Sequence, residues 1–399
     1  MATAARKTID LGRVRAGVLG ALVGDAATLG FQWLYDPARI ASIEPKAPEF
    51  HPPNAADFEG VMGYYIGTNK AVGDLSNYGE QIVVALKASK GQKWNPTNFL
   101  AIFQQSFNRG GLYVGYIDGM TNKVLENIAT ANTAAVAEAV KAGGIEDEDQ
   151  KGFLGNYLQR KATELEGEAL VAALVPLVST YFKDPSLEAK VAAAARYYDT
   201  HRPLRVGADD DQICGLCKLP IVIGLFAGRD DFEAKITEAT RLTNNNDIAV
   251  TYALFYARVL EAVILDGSVT VRQAVELALK RVGDAHELHA LIAKALAFDT
   301  RAGGAAATLF KDFNGGSCPV KNTVPITIAI AAGRDDISFV EASRLNIATG
   351  GDSCGRAVLL GALLGVTRGV ATDRGVPLSW IGRLSRTAEV LQAIDDATQ

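Results

Sequence analysis

The sequence predicts an all-α protein, a compact bundle of many helices spanning residues 1–399 as a single domain. Three observations carry this reading. Alanine-rich stretches repeat their apolar residues with a period near 3.6. Alternating runs of β-branched residues are scarce. The segments between periodic stretches are rich in Gly, Asn and Asp, residues that end helices and build turns.

Taken in order, Val14 to Tyr35 is long and apolar but interrupted by Arg15, Asp25 and Gln32, and it holds four glycines. That pattern predicts a buried helix and not a membrane span. Gly73 to Gln81 is a polar turn before the apolar helix Ile82 to Ala88. Ser76 or Asn77 is placed to cap that helix, with Glu80 near its third position; the same residues also suit a binding loop. Gly143 to Gly152 reads as a surface connection. Phe232, Ile236, Ala239 and Leu242 form one helical stripe, and Leu254, Ala257, Val259 and Ala262 another. Pro220 to Leu225 and Pro325 to Ile330 resemble short strands, yet each runs on into a helical pattern.

Composition narrows the function classes. The chain is 48% hydrophobic and 21% charged, enough apolar mass for a large core. A net charge of −5 and a pI near 5.6 give no basis for a nucleic-acid partner or an anionic membrane surface. The acidic run Glu146 to Asp149 reads as a solvated loop. Only four cysteines occur, which predicts a reducing, cytoplasmic setting. Met1 to Asp10 carries charges with no following apolar core and cleavage site, so no secretory leader is expected. Cys214 and Cys217 form a CxxC, but the two further ligands that zinc needs are lacking, and helix spacing accounts for the pair. His286 and His289 share a helix face, His51 and His201 are isolated, and no Ser-His-Asp arrangement can be assembled.

An internal similarity stands out. Gly228-Arg229-Asp230-Asp231 recurs as Gly333-Arg334-Asp335-Asp336, each after an apolar run and before a helix ending in a polar loop. In that register Asn246-Asp247 falls opposite Gly351-Asp352. The expectation is two copies of one helix–loop–helix unit, each directing an Asp at a shared centre.

The loop Gly350 to Arg356 opens an apolar helix. Backbone N–H groups at a helix start attract anions, and Arg356 adds a fixed charge suited to phosphate or carboxylate. Asp352 either caps that helix or binds a ligand. Cys354 lies in the first turn, where the dipole should lower a thiol pKa; a small buried cysteine is the alternative.

Read together, these pieces resemble the ADP-ribosylglycohydrolase family over nearly the whole chain. Arg15 to Ala26 resembles its first helix, ending in the Gly24-Asp25-Ala26 turn. Asn244-Asn245-Asn246-Asp247 stands where the family has a Thr-His-Asn-type loop, and Gly350-Gly351-Asp352 begins its Gly-Gly-Asp-Thr-Asp-Thr motif. Phe31-Gln32-Trp33-Leu34-Tyr35-Asp36 and Asn77-Tyr78-Gly79-Glu80-Gln81 look more like the branch of J-type crystallins and selenoprotein J. The resemblance implies a compact, orthogonal multi-helix fold with a central cleft on which Gly73–Gln81, Thr243–Asp247 and Gly350–Arg356 converge.

The departures shape the functional expectation. Active relatives hold two Mg²⁺ with a Thr-Asp-Asp run and an Asp-x-Asp-Thr motif. Here those positions are Asn77, Tyr78 and Gly79, then Asp352, Cys354 and Gly355, so Asp352 is the one retained candidate metal ligand. Mg²⁺ prefers several hard oxygen donors, so no stable dimetal centre or other cofactor is expected. The primary expectation is a non-catalytic protein: structural, crystallin-like, or a ligand-sensing scaffold in a protein assembly. The alternative is metal-independent hydrolysis of an ADP-ribose-like glycosidic bond. Glu80, Asp247 and Asp352 would then be acid/base residues, or Cys354 the nucleophile. Arg356, Gly350, Gly351 and Ser353 would hold phosphate. Trp33 and Tyr78 would stack on base or ribose, with Asp25, Asn77, Gln81 and Asn245 completing the ligand set.

Overall fold

The computed structural model describes residues 9–162, 165–282 and 287–399; the first eight residues, read above for a leader, and His286 lie outside them. Among the described residues the chain forms nineteen α-helices and five short 3-10 turns, with isolated β-bridges in place of strands. Pro220–Leu225 and Pro325–Ile330 are both helical, within Leu219–Phe226 and Val320–Ala332. Their apolar runs are buried all round, which hides the 3.6 period and imitates a strand.

The centre of the fold is a crossing of two helices, Leu11–Thr28 and Ser353–Arg368. Both are rich in glycine, and the glycines face each other. A side-chain carbon added at Gly20 would meet the carbonyl of Gly361, and one at Gly24 would lie 2.9 Å from the carbonyl of Ala357. Backbone therefore packs on backbone, closer than any larger residue allows. Leu11–Phe31 and Asp247–Leu265 are both long and apolar enough to cross a membrane, but 89% and 67% of their most apolar windows are buried inside the protein.

Around this pair the main core runs from Val14 to Ala397. A second apolar cluster lies between Val136 and Tyr198. It is built by the end of the long helix Gly119–Ala142 and by Glu148–Ala162, Gly167–Phe182 and Leu187–Thr200. The acidic run does not form a loop throughout: Glu148 and Asp149 start a helix, where negative charge complements the dipole, and Asp147 accepts from Gln150 N at 3.0 Å.

Both stripes lie on helices. Phe232, Ile236 and Ala239 are the buried face of Phe232–Arg241. On Asp247–Leu265 burial extends nearly round the helix, so Leu254 and Ala262 fall at its half-buried margin instead of its centre. The repeated Gly-Arg-Asp-Asp turns occupy equivalent places. Each joins an apolar helix (Leu219–Phe226 or Val320–Ala332) to a second helix (Phe232–Arg241 or Phe339–Thr349), which a polar loop connects to a third.

Gly20→Val should destabilise the protein by about 3 kcal/mol, the upper range for overpacking, read as a lower urea midpoint. Gly152→Ala, in an exposed stretch of helix with open space around it, should instead stabilise by about 1 kcal/mol.

Candidate functional site

Three helix starts meet beside the central crossing. Ser76 caps Asn77–Lys87, Asp118 caps Gly119–Ala142, and Asp352 caps Ser353–Arg368. The end of the first helix brings Asp25 to the same place. Ser76 donates to Asp25 through its hydroxyl (2.5 Å) and its backbone N–H (2.8 Å). Cys354 Sγ donates weakly to the Asp25 carbonyl at 3.7 Å.

Asp352 is fully buried. Its Oδ1 accepts from Gln32 Nε2 at 2.8 Å and from Gly355 N at 3.3 Å, and its Oδ2 accepts from the Tyr78 hydroxyl at 3.1 Å. Gln32 also accepts from Cys354 N at 2.6 Å through its carbonyl oxygen, so its amide orientation follows from its two partners. Asn77 donates to Asp118 at 2.6 Å, while Thr121 donates to Asp118 from its N–H (2.7 Å) and hydroxyl (2.8 Å). Lys70 and Tyr113 stand beside these carboxylates, the ammonium 4.1 Å from the ring centroid.

Burial governs the titration of this cluster. It pushes the Asp25 carboxyl up to about 6, against the lowering effect of the Ser76 hydrogen bonds. It raises Asp118, with the Asp352 charge adding to the shift. The Tyr78 phenol is raised by burial and then by Asp352. Lys70 is lowered by burial, although Asp74, Glu80 and Asp25 help to keep its proton.

Several sequence expectations change. Cys354 is fully buried, and burial followed by the Asp25 and Asp352 charges raises its thiol well above the usual value. The dipole does not make it a thiolate. Arg356 does not face a cleft. Its guanidinium donates to Asn346 Oδ1 (2.8 Å), Gly316 O (3.1 Å), Asn346 O (3.2 Å) and Gly350 O, clipping two loops together. Gly350 and Gly351 both have left-handed backbones, and a Cβ on Gly351 would lie 2.5 Å from the Gly315 carbonyl. They are turn residues pressed between other backbones. Ser353 is buried beside Gln32.

Glu80 lies one residue beyond the capping-box position. It is buried and ion-paired with Arg386. Gln81 is buried on the same helix, and its amide has no partner among the described residues. Trp33 is half-buried in a left-handed backbone conformation, held by Trp33 N to Gly351 O (2.9 Å) and Tyr64 N to Trp33 O (3.0 Å). Tyr78 is too deeply enclosed to stack on a base.

The Thr243–Asp247 turn does not join the cluster. Asn244 donates to Asp210 O at 2.8 Å, and buried Lys218 donates to Thr243 Oγ1 at 2.6 Å. Asn245 accepts from Arg241 at 2.8 Å. The Asp247 side chain is 91% exposed and paired with Arg241. Asn246 is the cap of that helix, whereas Asp352 is the cap of its own. A one-residue difference in capping register therefore turns Asp247 to solvent. Cys214 and Cys217 are both buried, free and raised by burial.

Sequence reasoning missed Asp118 and the part played by Gln32. Asp118-Gly119-Met120-Thr121 carries only the signature of a helix cap, and its long-range bond to Asn77 has no local signal.

The sequence pattern of the ADP-ribosylglycohydrolase family matches residues 6–399. The chain belongs to the ADP-ribosylglycohydrolase family. It is similar to Crystallin J1A of Tripedalia cystophora, 24% identical over 383 residues, covering 95% of this chain and 94% of that protein. Its fold is similar to a solved structure described as an ADP-ribosylglycohydrolase-related protein complex. The TM-score is 0.56 at 14% identity, with 97% of each chain covered.

The two-Mg²⁺ centre of active relatives does not fit this family member's residues. Tyr78 puts a phenol where a carboxylate is needed, Gly79 supplies no side chain at the next carboxylate position, and Asn77 replaces a hydroxyl with an amide. The donors on Asp352 are N–H and O–H groups pointing at the lone pairs that a cation requires. Among the described residues no three His, Cys, Asp or Glu side chains gather as a metal-binding group.

Two outcomes follow. Asp25 titrates near 6 folded against 3.8 unfolded, so its contribution is full below pH 3.8 and is lost as pH rises through 6, about 3 kcal/mol at pH 7. Asp25→Asn should therefore flatten the fall in melting temperature between about pH 4 and 6. Arg356→Lys should cost about 3 kcal/mol, because a point charge cannot reproduce the fork that serves four carbonyl oxygens.

Proposed function

We propose that this chain is a non-catalytic family member with a structural, crystallin-like role in a reducing, cytoplasmic setting. The observation that carries the reading is Asp352. It is the one carboxylate left from both metal motifs, and it is buried and shared among Gln32, Tyr78 and Gly355. A hydrolytic site needs a group that reaches substrate, and a metal site needs free oxygen donors. The carboxylates of this cluster are committed to neighbouring donors: Asp25 to Ser76, Asp118 to Asn77 and Thr121, and Asp352 to Gln32, Tyr78 and Gly355. The whole-length similarity to Crystallin J1A points the same way.

One observation favours metal-independent hydrolysis: Asp25 titrates near neutrality, as a general acid should. Against it, Asp25 is fully buried, and its carboxylate is held by the Ser76 hydroxyl and N–H.

Calorimetry with Mg²⁺ or Mn²⁺ should give no saturable heat, and saturating ADP-ribose should leave the melting temperature unchanged. A ligand at a hundredfold excess over its Kd would add about 2.7 kcal/mol, so binding has a clear readout. Such a shift, or release of ADP-ribose from a modified substrate, would refute the non-catalytic reading.

A further inference from the structure

On the outer side of the buried cluster, two loop segments show a regular in–out alternation. In one, Leu112, Val114 and Tyr116 are exposed, while Tyr113 and Gly115 between them, and Ile117 after them, are half-buried. In the other, Met62 and Tyr64 are exposed to either side of half-buried Gly63. A two-residue period is that of extended chain with one face turned to solvent. Polar residues are expected on such a face, yet here it is apolar. The exposures are Met62 66%, Tyr64 72%, Leu112 67%, Val114 58% and Tyr116 43%.

The two segments form one patch because both lean on the same ring. Tyr64 and Tyr116 approach Trp33 edge-on, with centroids 6.5 and 5.3 Å away. Backbone bonds fix the segments: Tyr64 N donates to Trp33 O (3.0 Å), Tyr35 N to Met62 O (2.9 Å), and Tyr113 N to Ser106 O (3.0 Å). The patch is held in place before any partner arrives, which lowers the ordering cost of binding.

We propose that this face packs against the same face of a second copy of the chain, forming a two-fold dimer. Its size argues for a partner: at about 150–200 Å² for a large side chain, the five side chains together expose roughly 500 Å² of apolar surface. Two such faces with their rims reach the lower range of specific interfaces, about 1,200 Å² in total. Composition selects the partner. Residues 110–117 carry no charge, so the face offers nothing to steer a charged peptide or nucleic acid. Two copies of it meet without like-charge repulsion. Tyr- and Met-rich centres depleted of charge are what interfaces favour. A two-fold contact needs a patch complementary only to itself. The inference is independent of how the buried cluster is read.

Sedimentation velocity of the full chain over a concentration series tests it. The wild type should dimerise reversibly. Leu112→Lys and Leu112→Glu should each weaken dimerisation about tenfold or more, since each buries an unpaired charge in an apolar contact, twice over in a two-fold dimer. Both should keep the wild-type melting temperature at concentrations low enough for the wild type to be monomeric, because the side chain is exposed. Tyr64→Lys with Tyr64→Glu repeats the test if either first variant folds poorly. A wild type that stays monomeric, or a dimer indifferent to the charges at both positions, would overturn the proposal.

Discussion

A carboxylate shut inside a helical core must have its hydrogen bonds satisfied or lose its charge, and Asp352 sets that demand for the rest of the site. Its helix supplies one donor at Gly355. The other two come from distant parts of the chain, Gln32 after the first helix and Tyr78 on the Asn77–Lys87 helix. Satisfying one aspartate thus fixes how three segments approach. The glycine-mediated crossing makes that approach possible, because it draws the two central helices close enough for Gln32 to touch both Asp352 and Cys354 N.

The same logic explains how several acids coexist in a small volume. Asp118 and Asp352 sit at helix starts, where partial positive charge favours an anion, and Asp25 takes two donors from the cap residue of a third helix. Glu80 is served by an arginine instead. Residual strain remains: Asp25 and Asp118 are both raised, and burial is the larger cause in each case. Helix ends, amides and a phenol hold this cluster together, partners that neutralise charge less completely than a divalent cation does.

Much of the helical body was legible in the sequence because helices advertise themselves locally. The stripe Phe232, Ile236 and Ala239 needs no tertiary knowledge, and the recurrence of Gly-Arg-Asp-Asp marked two turns in equivalent places. Site geometry was less legible, for two physical reasons. Side-chain direction at a helix start depends on a single residue of register, so Asp247 and Asp352 align in sequence yet one faces water and the other the core. Burial also overrides local electrostatics. The dipole at Cys354 and the cation at Arg356 were both real sequence features, but enclosure raised the thiol and turned the guanidinium onto carbonyl oxygens. Gln32 and Asp118 act across hundreds and tens of residues respectively, distances at which no local pattern gives warning.

The residues at the positions where active relatives hold metal are coupled, which bears on how such a site can change. A carboxylate introduced at Tyr78 alone would bury a second negative charge beside Asp352 and remove the phenol that now satisfies it. A carboxylate at Cys354 alone would crowd Asp25 and Asp352, whose charges already act on that thiol. Either single change leaves a buried acid unpaired, which costs several kcal/mol. Only simultaneous replacement, with a divalent cation to neutralise the group, avoids that cost. The interior is therefore stable against small steps in either direction, and substitutions on the outer surface, such as the apolar face around Tyr64 and Leu112, meet no comparable barrier.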